Sequence, residues 1–181
     1  MIAELRKTNF VLAWFVFVVA ALLLLPGVSV AQQDAMAQKV QTAIQLLKAK
    51  ADQLGQPKIE GKSAAAGEQV PAIYFGRTQM NNNLDLVDDV QKQTGAVATI
   101  FVKNGDQFVR VATNVKKDDG SRAVGTILDP KGKAIESIRK NEAYHGEADI
   151  LGKAYVTAYE PIRDADKNVI GIYFVGYQKG Q

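Results

Sequence analysis

The 181-residue sequence contains no cysteine and only one histidine, His145. Lack of cysteine excludes disulfides, thiolate catalysis, Cys-ligated zinc and a covalently attached c-type haem. It is compatible with export, because a core of this size needs no covalent staples. A lone histidine excludes metal sites built on several histidines and a haem with two histidine ligands. The sequence also lacks a Gly-x-Ser-x-Gly elbow, a Gly-rich phosphate loop before Lys-Ser/Thr, and a His-Glu-x-x-His. Paired carboxylates, Asp88-Asp89 and Asp118-Asp119, fall in an expected helix and an expected turn, where they read as solvated charge. No nucleophile has a base beside it, so the expectation is no enzyme, no metal and no cofactor. Lys and Arg number 22 against 19 Asp and Glu, a formal charge of +3. No stretch joins clustered basic residues with aromatics, so nucleic acid is not an expected partner.

The N-terminus opens with Arg6 and Lys7 against Glu4, followed by an unbroken apolar run from Phe10 to Leu25. Pro26 and Gly27 end the run, and Ser29-Val30-Ala31 offers small residues at the positions a signal peptidase reads. Residues 1–31 therefore read as a signal peptide cleaved after Ala31, and the protein as periplasmic or secreted. The run is shorter than the roughly 20 residues of a spanning helix. The alternative is an uncleaved segment anchoring the domain to the inner membrane.

Residues 32–69 read as a helix and a loop, and 70–181 as the main domain. From Asp34 to Leu54, Met36, Val40, Ile44, Leu47, Ala51 and Leu54 recur three or four apart. Asp34 is placed to cap the start, and Gly55 with Pro57 to end the helix. The stripe suits packing along the same domain, and equally a seam between two copies, a homodimer through this helix. Gly55 to Gln69 reads as a loop. Leu84 to Gln93 reads as a second helix, capped by Asn83 and stopped by Gly95.

From Ala96 the apolar period changes from helical to two. Val97–Lys103 and Gln107–Asn114 flank Asn104-Gly105-Asp106, a hairpin signal. Ala123–Leu128 is a short extended piece and Lys133–Lys140 a short helix. Two strands follow on either side of Leu151-Gly152-Lys153, and the last runs from Val169 to Tyr177. Asp164 to Asn168 has the opening of a calcium loop without its central Gly and closing Glu, and reads as a hairpin turn. The tight connections suit antiparallel neighbours. The expected fold class is α+β, with one five-stranded antiparallel sheet.

The segments FVRVATNV, DGSRAVGT, Tyr144-His-Gly146 and VIGIYFVGY carry a specific likeness. From Ile73 to Tyr177 the chain resembles, in unbroken order, the Cache 3/Cache 2 fusion domain. This single-Cache module forms extracytoplasmic sensor regions of methyl-accepting chemotaxis proteins and sensor kinases. The resemblance implies a PAS-like sheet behind a long N-terminal helix, with a small-molecule pocket on one sheet face. Receptors of this kind carry membrane helices on both sides and a signalling module. Here a leader precedes the domain and the sequence stops at Gln181. The expectation is therefore a module that reports through a separate membrane receptor or kinase.

Arg110 is the first candidate binding residue. By alternation, Phe108, Arg110, Ala112 and Asn114 share one strand face, and Val109, Val111 and Thr113 the other. A mid-strand guanidinium among apolar residues can take a carboxylate in bidentate fashion, or serve an internal ion pair or an exposed face. Asn114 would act alongside it, and Thr113 would join only if the strand bulges. Tyr155, Thr157 and Tyr159 on one strand, with Tyr173, Val175 and Tyr177 on the next, would form a tyrosine wall or ordinary cross-strand packing. Tyr144 is placed to close the pocket. Taken with the resemblance, these residues suit a small organic anion, most simply a short carboxylate. His145 shares a strand face with Glu147 and Asp149, which reads chiefly as a solvated face.

Overall fold

The structure, a computed structural model, describes residues 27–180. The charged segment and apolar run of the expected leader lie outside the described residues, as do the side chains around the expected cleavage point. The chain divides into two compact units, Met1–Ala35 and Met36–Gln181. Of the first, only helical backbone from Gly27 is described, and the account below concerns the second.

Helix α1 (Gly27–Leu54) starts earlier than the sequence suggests, so Asp34 lies inside it and caps nothing. From Val40 to Ala51 its apolar stripe is consumed within the domain, whereas Leu54 at its end is exposed. Val40, Ala43, Ile44, Leu47 and Ala51 are each at most 2% exposed. Fully burying a Leu or Ile side chain contributes about 1.5–3 kcal/mol, so this stripe fixes the helix to its own sheet. It is not available as a seam. Gln38, Gln41, Gln45 and Asp52 face outward.

Residues 57–65, read from sequence as part of a loop, are a strand, β1 (Pro57–Ala65). It pairs with β2 (Glu68–Phe75), which pairs with β3 (Thr78–Gln79), giving a small antiparallel sheet. β1 is an edge strand with a bulge between Ile59 and Lys62 and is exposed along most of its length. An exposed, bulged edge has no need of apolar alternation, which is why the sequence pattern was silent there.

Helix α2 (Asp85–Thr94) ends at Gly95 in the left-handed conformation, φ 78°, as the glycine suggests. Asn83 stands one residue before the N-cap position, and its Oδ1 accepts from the Asp85 amide at 3.1 Å. The main sheet follows with β4 (Val97–Asn104), β5 (Gln107–Thr113), β6 (Tyr144–Ile150), β7 (Lys153–Arg163) and β8 (Val169–Gln178). Helix α3 (Lys133–Arg139) precedes β6. The spatial order is β5-β4-β8-β7-β6, all antiparallel.

The sheet carries a separate core on each face. One face, with Ala98, Ile100, Val102 and Val175, packs with α1, α2 and β2. The other, with Phe101, Phe108, Phe174 and Tyr159, packs under Ala134, Ile135 and Ile138 of α3. Along the outer edge of β5 runs an irregular strap, residues 123–128. Its backbone is tied by Arg110 N–H to Thr126 O, Gly125 N–H to Arg110 O and Leu128 N–H to Phe108 O, all 2.8–2.9 Å. Asp88, far from being free solvated charge, takes both guanidinium nitrogens of Arg122 at 2.7 and 2.9 Å, tying α2 to the start of this strap. Asp89 pairs with Lys50 of α1.

Candidate functional site

Beneath α3 the sheet face opens into a cavity of about 250 Å3. Its lining includes Arg110 from β5, Tyr159 from β7, Tyr144, Glu147 and Asp149 from β6, Leu128 from the end of the strap, Asp129 just after it, and Lys133 from α3. The volume equals the liquid share of roughly eight waters, which suits a ligand of fewer than ten heavy atoms.

Arg110 is 4% exposed, lies over the Phe101 ring at 4.9 Å, and has no carboxylate within ion-pair distance among the described residues. Its Nη1 donates to Thr126 Oγ1 at 2.7 Å and to the Ile127 carbonyl at 3.3 Å. Its Nε is buried without a partner. The strap therefore orients the guanidinium through one nitrogen and leaves the Nε–Nη2 edge unused. Burial pulls the Arg110 pKa down, the expected response of a desolvated cation. An arginine is always charged at ordinary pH, so this cost falls on the fold.

Tyr159 is buried against Phe174, ring centroids 4.7 Å apart, and its hydroxyl makes no hydrogen bond among the described residues. Burial raises its pKa strongly; the nearby Arg110 opposes that rise, and Tyr144 and Asp129 add a little to it. Tyr144 stands 6.2 Å from Tyr159, and its hydroxyl donates to the Glu147 carbonyl at 2.7 Å. That turn-back of the ring is possible because residue 146 is glycine. A Cβ there would meet the Tyr144 hydroxyl at 2.8 Å.

Of the seven residues the sequence nominates, Arg110, Tyr144 and Tyr159 line this cavity and the other four do not. Two bulges decide the sorting. In β5, Ile100 pairs with Ala112 but Phe101 pairs with Arg110, so Val111 is an extra residue. This shifts the alternation by one. Thr113 moves onto the Arg110 face, where it shares a 2.6 Å hydrogen bond with Thr99. Asn114 moves off that face and clamps α2 to β4. Its Oδ1 accepts from Ala98 N–H at 2.7 Å and its Nδ2 donates to Val87 O at 2.6 Å. In the β7–β8 pair, Ile162 faces Gly171 while Arg163 faces Val169, so Ile170 is extra. Tyr159 then pairs with Phe174, and Tyr173 points to the α1 side, stacked on Phe75 at 5.8 Å. The two tyrosine rows thus lie on opposite faces and form no common wall. Tyr155 stays on the Arg110 face, but its hydroxyl donates to Gln178 at 3.2 Å, away from the cavity.

His145 points away from the cavity strand's inner side, with Nε2 3.5 Å from Glu160 Oε1. Glu160 also pairs with Lys48 of α1. The Asp164 carboxylate accepts from the Asn168 backbone at 2.8 Å, the hairpin turn read from the sequence. Sequence reasoning missed Thr126, the residue that orients Arg110, and Asp129 at the cavity mouth. The signal for Asp129 was present, a carboxylate in a Pro- and Gly-marked turn just before α3.

An antiparallel five-stranded sheet with a long helix on one face and a small polar cavity on the other defines a PAS-like sensor fold. The family model of the Cache 3/Cache 2 fusion domain matches residues 25–181. The chain belongs to that family. A search of curated proteins gives no match. Cache domains are extracytoplasmic sensor modules, and as a class generally non-enzymatic; membership places this chain among such sensor modules. Among the described residues, no helix is long and apolar enough to cross a membrane.

Proposed function

We propose that this module binds a small organic anion, a short carboxylate, in the cavity under α3, with Arg110 as the group that holds it. The observation that carries the reading is a buried guanidinium with no carboxylate partner, oriented by Thr126 and Ile127 and keeping its Nε–Nη2 edge unpaired. A buried cation without a counter-ion is costly to the fold. A site that keeps one gains where a ligand supplies the counter-ion, and that edge matches a carboxylate in bidentate geometry. Tyr159 and Tyr144 give the cavity apolar walls with polar tips.

In this reading residues 1–31 are a leader removed after Ala31, or an anchor if retained. The bound state is passed to a separate partner, a membrane receptor or kinase, through α1. That helix is joined to the sheet by the Lys48–Glu160 pair. Two copies pairing along α1 would have to use its outward polar face, since the apolar stripe is already taken.

A thermal-shift series with short carboxylates, amino acids and purines tests the reading. A carboxylate at about 100 times its dissociation constant should add roughly 2.7 kcal/mol, a shift of several degrees in a domain of this size. No dose-dependent shift with any carboxylate-bearing compound would point instead to an interaction protein that has kept the fold without a ligand.

A further inference from the structure

At the end of the sheet where α1 enters the domain and β8 leaves it lies an open groove of about 490 Å3. Met36 and Lys39 of α1, Lys116 just after β5, Lys153 at the start of β7 and Tyr177 of β8 are among its lining residues. Three lysines line this groove and no carboxylate does. Lys39 and Lys116 are exposed and form no ion pair among the described residues. Lys153 reaches Asp118 at 3.3 Å, but that side chain is 89% exposed and the pair is worth little. Other carboxylates on the flanking segments are engaged elsewhere: Glu147 pairs with Lys179, Asp88 with Arg122, and Asp119 accepts from the Ser121 amide. Asp34, earlier on α1, is exposed and does not line the groove. A groove at the opposite end of the sheet, by contrast, sets Lys103, Arg139 and Lys167 beside a carboxylate, Asp106.

The floor of the lysine-lined groove is already satisfied. Asn114 spends both ends of its amide on Ala98 and Val87, the Tyr155 hydroxyl donates to Gln178, and the Tyr177 hydroxyl donates to the Thr94 carbonyl. No buried side-chain donor in this floor lacks a partner, so nothing there encloses a single small anion. What remains is a rim of hydrated ammonium groups on flexible stems. These act as point charges and suit an array of phosphates better than one chelated oxyanion. The longest apolar run of the sequence, Phe10 to Leu25, lies on the chain's approach to this end, just before α1 begins at Gly27. From these observations we infer that this end of the domain docks on a membrane surface rich in anionic phospholipid, with Lys39, Lys116 and Lys153 taking headgroup phosphates. Each lysine brought to such a surface strengthens binding by roughly fivefold, and the attraction fades within a Debye length of about 10 Å at 0.1 M salt. The inference is independent of what the cavity under α3 holds.

Co-sedimentation of the purified protein with phosphatidylcholine vesicles, with and without phosphatidylglycerol, tests it. The anionic vesicles should bind at least about tenfold more tightly, and added salt should remove the gain. The triple variant Lys39→Gln, Lys116→Gln, Lys153→Gln should lose that gain. Its side chains are exposed, so it should melt as the parent does. The control triple Lys103→Gln, Arg139→Gln, Lys167→Gln removes the same charge from the opposite end and should keep most of the gain. Equal binding to both kinds of vesicle, or to neither, would overturn the inference. Equal losses in the two triples would also overturn it, because net charge alone would then be at work. Displacement by inorganic phosphate, but not by chloride at the same ionic strength, would make the groove a free-phosphate site instead. Tighter binding of poly-glutamate than of the anionic vesicles, with the same dependence on the three lysines, would assign the groove to an acidic protein and contradict the membrane reading.

Discussion

Arg110→Met is expected to abolish carboxylate binding while leaving the empty domain at least as stable as the parent. The two effects have different origins. Binding loses two charge-assisted hydrogen bonds from a preoriented guanidinium, worth at least about 3 kcal/mol together, so affinity should fall by about 100-fold or more. Stability loses the two Nη1 bonds to Thr126 and Ile127, each worth about 1 kcal/mol net. Against that, the variant removes a desolvated, unpaired cation and its orphan Nε, and exchanges of this kind are often neutral or stabilising by about 1–4 kcal/mol. Methionine fills similar space over the Phe101 ring and adapts its shape. Denaturant melts and titrations on the same preparation separate the two. Unchanged affinity would remove Arg110 from the site. A stability loss that matched the binding loss would make Arg110 a structural residue.

Gly171→Ala should be among the most damaging single-methyl additions in the domain, costing about 3 kcal/mol or more. Gly171 lies in β8, paired with Val102 of β4 on one side and Ile162 of β7 on the other. A Cβ there would sit well inside 3.0 Å of the Phe101 carbonyl oxygen, with the Ile73 and Ile162 methyls at 3.0 and 3.2 Å. A flexible side-chain tip could move aside, but a backbone carbonyl in the middle of a five-stranded sheet cannot without opening the β4–β8 ladder. Overpacking usually costs about 1–3 kcal/mol, and this site belongs at or beyond the upper end. A domain with about 5–15 kcal/mol in total would show it as a large drop in urea midpoint. A midpoint within experimental error of the parent would mean that the β4–β8 contact is looser than the structure has it.

Where local chemistry decides structure, the sequence was easy to read. Asn104-Gly105 marks its hairpin, Gly95 ends α2, and the α1 stripe is a helical pattern buried along one face. Where register decides, it was not. Strict alternation places Asn114 beside Arg110 and puts Tyr173 in line with Tyr159, and both placements fail because one extra residue, Val111 or Ile170, flips everything beyond it. Neither bulge residue has a distinguishing type, so nothing in the composition signals the shift. The edge strand β1 was missed for a related reason. It is paired on one side and exposed, and its Lys, Glu and Gly residues carry no period. Within the site, Arg110, Tyr144 and Tyr159 came from residue type and the family likeness. Thr126 and Asp129 depend on the strap lying along β5, a long-range pairing that no local pattern encodes.

The central claim is that the free edge of Arg110 receives a carboxylate. The most direct measurement is the side-chain Nε–H resonance of Arg110 by NMR, assigned by its loss in Arg110→Met and followed while a short carboxylate or amino acid is titrated in. In the empty protein this N–H is buried without an acceptor. The account predicts a large downfield shift that saturates with the same dissociation constant as the thermal shift. A resonance that stays in place while the protein is demonstrably saturated would place the ligand elsewhere and contradict the account.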